Sequence, residues 1–485
     1  MSETPLEGLS RQELEQRLAH ALAVGDERAA GSVEVLLARC LLDDGDTAAA
    51  RRHAERAVAL QRQVLPADLE FARALEVFGR AARAGGDDDT ATGAYLEAID
   101  VAGRLGHRDV VAGLLEELGG MAATAGDRGR ARDLLTAALR TAPEAREDGA
   151  RRAELGLARI ELDDGDDGSA ARRALRVLHG GAQGEIALEG ALLLRDAAVV
   201  AAARADHETA RRRCEIALPM VREHGTVGAL VALLAILAAA CRQLVDLPAA
   251  RGVYEEAVER CEQIGDARQA VLTRSGLLLD LGVLCLVDMA DPAAATGYLE
   301  AALAGYEEAG LVEEAVEVSR RMQQAATERG DARGVRRWHA AAERAAFVAA
   351  VARQADALAR RRRVGDLPAT VLGDTGGVPA PLRIPGGRVS DGLLWRRRLA
   401  AELRKAAPRR RVAVLRGAAH ARSADSPLGE AMHLLVIERD RVEARVAEVA
   451  RGGSGAGCGP WVPAVDGAWP AGQDRLVEAL RDALG

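Results

Sequence analysis

Gly45–Leu60 reads GDTAAARRHAERAVAL, and its spacing decides the fold. Asp46 is followed by Ala50, Ala54 and Ala57, at offsets of four, eight and eleven that share one face of an α-helix. The same outline recurs as Asp87-Ala91-Tyr95-Ala98, Asp127-Ala131-Leu135-Ala138 and Asp166-Ala170-Ala174-Val177. It continues as Asp206-Ala210-Cys214-Ala217, Asp246-Ala250-Tyr254-Ala257, Asp291-Ala295-Leu299-Ala302 and Asp331-Val335-His339-Ala342. Successive aspartates are 41, 40, 39, 40, 40, 45 and 40 residues apart. Eight units in one register define a repeat array.

The chemistry of the unit follows from its residue types. A Gly-Asp or Ala-Asp pair closes one helix in a left-handed turn, and the Asp accepts the free N–H groups of the next. The second helix then buries a stripe of small residues, and alanine there lets its partner approach closely. An apolar helix precedes each Asp, as in AAGSVEVLLARCLLDD and QAVLTRSGLLLDLGVLCLVDMA. Each unit is therefore a helical hairpin that must stack on its neighbours to bury its face.

Composition agrees. The 485 residues are 49% hydrophobic, 28% charged and only 2% aromatic, which excludes an all-β sandwich or barrel. Lys405 is the one lysine and asparagine is absent. A Walker A loop, a pyridoxal Schiff base and a protein-kinase site each need a lysine, and Lys405 follows no glycine-rich loop. No cofactor and no metal site is expected. The six cysteines show no CxxC spacing, and five sit among apolar helix positions, which points to a reducing cytoplasm. The start carries no secretory pattern, and the apolar run Val227–Cys241 is too short to span a bilayer, so no membrane association is expected.

The second-helix pattern, Ala, then a large residue, then Ala, resembles the tetratricopeptide (TPR) repeat. VDLPAARGVYEEAVERCEQIGD, residues 245–266, carries it best, and ALEVFGRAA around Phe78 is a remnant of the first-helix signature. The period of about 40 is similar to a longer variant found in bacterial signalling and regulatory proteins. The resemblance implies a mainly α fold: a right-handed TPR-like α-solenoid of about eight hairpins whose groove binds a protein or peptide. The family's best-known carboxylate clamp uses Asn and Lys, so it is excluded here.

Four regions are expected: an N-terminal cap (1–26), the repeat array (27–363), a Gly/Pro-rich linker (364–389) and a small α/β or α+β domain (390–485). In the last, SDGLLWRRRLAAELRKAA and GQDRLVEALRDAL read as helices. RVAVLRG, HLLVIERD and VEARVAEV read as strands, the last two as a hairpin. Residues 351–416 carry sixteen basic and five acidic side chains in a chain of net charge −8. Their expected role is to dock on the acidic array, so nucleic acid is not the expected partner; a nucleic-acid-associated regulator using this basic segment is the alternative reading. His420, after a strand, and Cys458, on the glycine-rich GSGAGCGPW, are the two candidate catalytic residues. This end resembles a CHAT domain, a caspase-like fold that would make a cysteine protease. It departs from it in having RGGSGAG rather than an apolar strand before Cys458. The expected function is a protein-interaction scaffold or sensor without a catalytic site.

Overall fold

Eight aspartates at the expected register each cap a helix. In the computed structural model, described here for residues 9–64, 68–141, 148–361, 370–374, 379–381, 411–420, 429–438, 442–452, 455–458 and 462–463, each aspartate accepts a backbone N–H two or three residues on. Asp46 Oδ1 takes Ala49 N at 3.0 Å and Asp331 Oδ1 takes Gly334 N at 2.9 Å. All eight aspartates also donate their own N–H back to the preceding helix across a left-handed residue, as Asp46 does to Leu41 O at 2.9 Å. One residue thus ends one helix and starts the next. At five of the eight turns the left-handed residue is glycine; at the other three it is Ala205, Val245 or Ala290, with φ of 63°, 60° and 53°.

The chain divides into two units, Met1–Ala240 and Cys241–Gly485. The first holds α1 (Arg11–Ala23), α2 (Glu27–Asp43), α3 (Thr47–Val64), α4 (Leu69–Ala84), α5 (Asp88–Leu105) and α6 (Arg108–Thr124). It continues with α7 (Arg128–Thr141), α8 (Asp148–Asp163), α9 (Asp167–His179), α10 (Gly184–Ala203) and α11 (His207–His224). Helix α12 (Val227–Gln243) spans the boundary. Consecutive helices pair, α2 with α3, α4 with α5 and on to α10 with α11, and each hairpin packs on the next. This is an α-solenoid of stacked helical hairpins. The stripe residues from Ala50 to Ala217 are all buried.

The second unit holds α13 (Leu247–Arg260), α14 (Ala267–Val283, ending in a π turn, Leu284–Asp288), α15 (Pro292–Ala309), α16 (Val312–Glu328) and α17 (Ala332–Arg361). Ala267–Asp288 is 22 residues long and contains an 18-residue window of mean hydropathy 1.8, long and apolar enough to cross a membrane by composition. Leu281, Leu284, Cys285 and Leu286 of this stretch are nonetheless buried, and the helix packs along α15. The eighth stripe departs from the expected register. His339 is exposed, while Gly334, Trp338 and Ala342 are buried. The indole is the largest apolar group of that turn, and burying it rotates α17 by one position.

Helix α17 then runs on beneath an antiparallel sheet: β1 (Thr370–Asp374), β2 (Pro379–Pro381), β3 (Arg411–His420), β4 (Gly429–Glu438), β5 (Val442–Gly452), β6 (Gly455–Cys458) and β7 (Val462–Pro463). The order is β2-β1-β3-β4-β5-β6, with β7 also beside β5. Phe347, Val348, Val351, Ala352 and Ala355 of α17 pack on Leu372, Ala413, Leu434, Val436 and Ala447. The three expected strands form, and β4 and β5 make the expected hairpin. Two features differ from the sequence reading. The Gly/Pro-rich stretch read as a linker contributes β1 and β2, because Leu372 supplies an apolar anchor to the sheet. Gly455–Cys458 is a strand despite its glycines, because β5 offers it a ladder to pair with. The two helices read at 390–407 and 472–484 lie outside the described residues.

Candidate functional site

Two places deserve comparison: the Cys458 end of the sheet and the face made by the first helices of the hairpins. Ala419 pairs with Glu430, Glu430 with Val449, and Val449 with Cys458. His420 ends β3 and Cys458 ends β6, so β4 and β5 stand between them. Three strand spacings separate the two backbones by about 14 Å, whereas a nucleophile and its base need hydrogen-bond contact. The structure does not bring them together.

Cys458 faces α17 instead. Its N–H donates to Asp356 Oδ1 at 2.9 Å, and its side chain packs against the sheet–helix core. Burial first, and the nearby Asp356 carboxylate second, push its thiol up to about 11. A reactive cysteine needs the opposite, an electropositive setting that favours thiolate. The basic segment is likewise engaged where it is described. Arg353 pairs with Glu313 at 2.5 Å and Arg360 with Asp356 at 2.7 Å. The arginine clusters at 396–398 and 409–410 lie outside the described residues. Among the described residues no group of His, Cys, Asp and Glu could hold a metal ion.

In the first unit the first helices touch one another, α2 with α4, α6 with α8 and α8 with α10. Their shared face carries a charge ladder. Arg80 and Arg83 of α4 reach Glu117 of α6 at 3.3 and 2.7 Å. Arg159 of α8 reaches Asp196 of α10 at 3.3 Å. Between these pairs lie Glu116 of α6 and Glu189 of α10, whose charges are felt by Arg152 of α8. Burial, reinforced by Glu117, pushes the Glu116 carboxyl up to about 7, against the pull of Arg152. Burial also raises Glu189.

Tyr95 reaches this face from behind. It sits on a second helix, crosses Gly79, and ends near Glu117 and Arg80, its buried hydroxyl without a hydrogen-bond partner among the described residues. The aromatic at the stripe position is visible in the sequence. The charge ladder is not, because its partners are 34 to 37 residues apart and meet only when hairpins stack.

No protein-family model matches the chain, and no curated protein matches it. It is similar to several solved structures. The apo form of the quorum sensor NprR from B. thuringiensis is 14% identical, covering 69% of this chain and 97% of that one, with a TM-score of 0.38. A tetratricopeptide repeat protein from Parabacteroides merdae is 14% identical over 59% of this chain and 98% of that one, TM-score 0.34. The C-terminal part of a TPR repeat-containing protein from Cytophaga hutchinsonii is 14% identical over 54% and 99%, TM-score 0.39.

Proposed function

We propose that the chain is a scaffold or sensor that binds a protein or peptide segment across the first-helix face of its N-terminal unit. The supporting observation is the half-buried ladder Arg80–Arg83–Glu117–Glu116–Arg152–Glu189. Structural ion pairs on a repeat surface are usually well exposed and weak. Here carboxyls are desolvated beside arginines, so a segment carrying matched charges would gain from charge-assisted hydrogen bonds in a partly dry setting. All six cysteines are free, which fits a reducing, cytoplasmic setting.

Selection of binders from a random peptide library, followed by titration on the whole chain, tests this reading. Enriched peptides should lose about tenfold or more in affinity on Arg83→Glu or Arg159→Glu, the usual scale for losing a charged hydrogen bond. Peptides indifferent to every substitution on this face would place the binding surface elsewhere.

A further inference from the structure

Nearly every arginine in the second unit that is held by a side chain is held by a carboxylate: Arg242 by Asp288, Arg251 by Glu255, Arg321 by Glu317, Arg353 by Glu313. Among the described arginines with no carboxylate partner, three line one cavity. Arg329 closes α16, Arg333 lies in the first turn of α17 and Arg337 one turn further on; all three border a hollow of about 330 Å³ against α15. None of them forms an ion pair among the described residues. Arg329 Nη1 is instead steadied by the neutral Thr296 hydroxyl at 3.2 Å, and Arg337 lies 4.6 Å over the ring of Trp338. Thr296 is itself fixed by donating to Pro292 O at 2.7 Å.

We propose that this cavity binds a small phosphomonoester, with the phosphate on Arg329, Arg333 and Arg337. Three guanidinium groups around one hollow repel each other unless a multiply charged anion enters. A phosphate monoester carries close to two negative charges at neutral pH and three acceptor oxygens, whereas a carboxylate carries one charge and two. The hollow is also larger than a bare phosphate needs and falls at the small-ligand end of binding cavities. Its remaining wall is apolar: Met322 and Ala326 of α16 and the edge of Trp338, all buried. Two carboxylates share the lining. Asp331 is engaged in capping α17, accepting from Arg333 N and Gly334 N at 3.1 and 2.9 Å. Glu300 has no cation partner among the described residues and opposes an anion, so it limits affinity. The proposal concerns the second unit alone and does not rest on the binding reading of the first.

Calorimetric titration of the whole chain tests the proposal with phenyl phosphate, inorganic phosphate, benzoate and a phosphoserine decapeptide as probes. Phenyl phosphate should bind saturably, more tightly than inorganic phosphate and than benzoate. Arg333→Gln, at an exposed position, should weaken it about tenfold, the usual scale for a charged hydrogen bond. Glu300→Gln should tighten it, and Arg353→Gln, on the far part of α17, should change nothing. Unaltered melting temperatures would show that the variants fold. Absence of saturable binding, equal affinity for benzoate, or indifference to Arg333→Gln would overturn the proposal. Binding of the decapeptide more tightly than phenyl phosphate would also overturn it, in favour of a phosphorylated protein.

Discussion

The ring of Tyr95 occupies the space above Gly79. A Cβ placed on Gly79 would lie 2.5 Å from Tyr95 Cε1, and the ring is fully buried and cannot swing away. Leu135 stands in the same relation to Gly119, and Leu299 to Gly282, each at 2.7 Å. In these three hairpins a large stripe residue on the second helix is thus matched by a glycine on the first. Where the stripe residue is Ala54, the facing helix offers Ala38, also fully buried. Gly79→Ala should therefore destabilise the chain by about 1–3 kcal/mol, the usual cost of overpacking. Gly93→Ala, in the same hairpin with nothing within 4 Å, should be neutral or stabilising by up to about 1 kcal/mol. Urea denaturation of both variants checks the pair.

The left-handed turns give a second test. Val245 holds φ at 60° with 76% of its surface exposed, so it has strain and no packing to offset it. Val245→Gly should stabilise by about 1 kcal/mol. Gly126→Ala, at φ 81°, should do the reverse by a similar amount. Equal melting temperatures for wild type and Val245→Gly would show that the turn is not strained.

A third prediction concerns a buried charge network in the first unit. Asp167, 7% exposed, accepts from Arg213, 9% exposed, at 2.6 Å, and Arg213 also donates to Ala197 O at 2.7 Å. Arg204 approaches the other carboxylate oxygen of Asp167. Asp167→Ala would leave Arg213 buried without its counter-charge and should cost about 3–5 kcal/mol. Arg212→Ala breaks only an exposed pair with Glu208 and should cost less than about 1 kcal/mol.

The first-helix face makes stability depend on pH. The Glu116 carboxyl is raised from its ordinary value of 4.5 to about 7 in the folded chain. Below about 4.5 both folded and unfolded states are protonated and nothing is lost. Between 4.5 and 7 the unfolded state releases its proton first, so stability falls as pH rises, and above 7 the loss is complete. Glu116→Gln should abolish this component: indistinguishable from wild type near pH 4, and more stable at pH 8 by on the order of 1–3 kcal/mol. A variant equally stable at pH 4 and less stable at pH 8 would contradict the assignment.

Much of this architecture is legible in the sequence, because caps and stripes are local. Asp46 and Ala50 act within one turn, so their spacing survives as a readable pattern. The eighth unit slips because Trp338, outside the expected stripe, has more apolar surface to bury than Val335 or the exposed His339. The sheet escapes in part for a different reason. Gly455–Cys458 and Pro379–Pro381 have no strand propensity of their own and form strands because a neighbour supplies the ladder. The ladder from Arg80 to Asp196 is set by how hairpins stack, which residue spacing within one hairpin does not encode.

Cys458 supplies a test of chemistry. With its thiol at about 11, it should alkylate slowly with iodoacetamide at pH 7, faster above pH 10, and identically in His420→Ala. Rapid labelling at pH 6 that disappears in His420→Ala would demonstrate a cysteine–histidine pair and a catalytic role.

The most direct test of the binding reading is site-specific photocrosslinking in living cells. A benzophenone amino acid would replace Glu185, exposed on α10 beside Glu189 of the first-helix face, or Arg56, exposed on the second helix α3. The account predicts discrete partner adducts from position 185, lost on Arg83→Glu, and none from position 56. Adducts from position 56 with none from position 185 would contradict it.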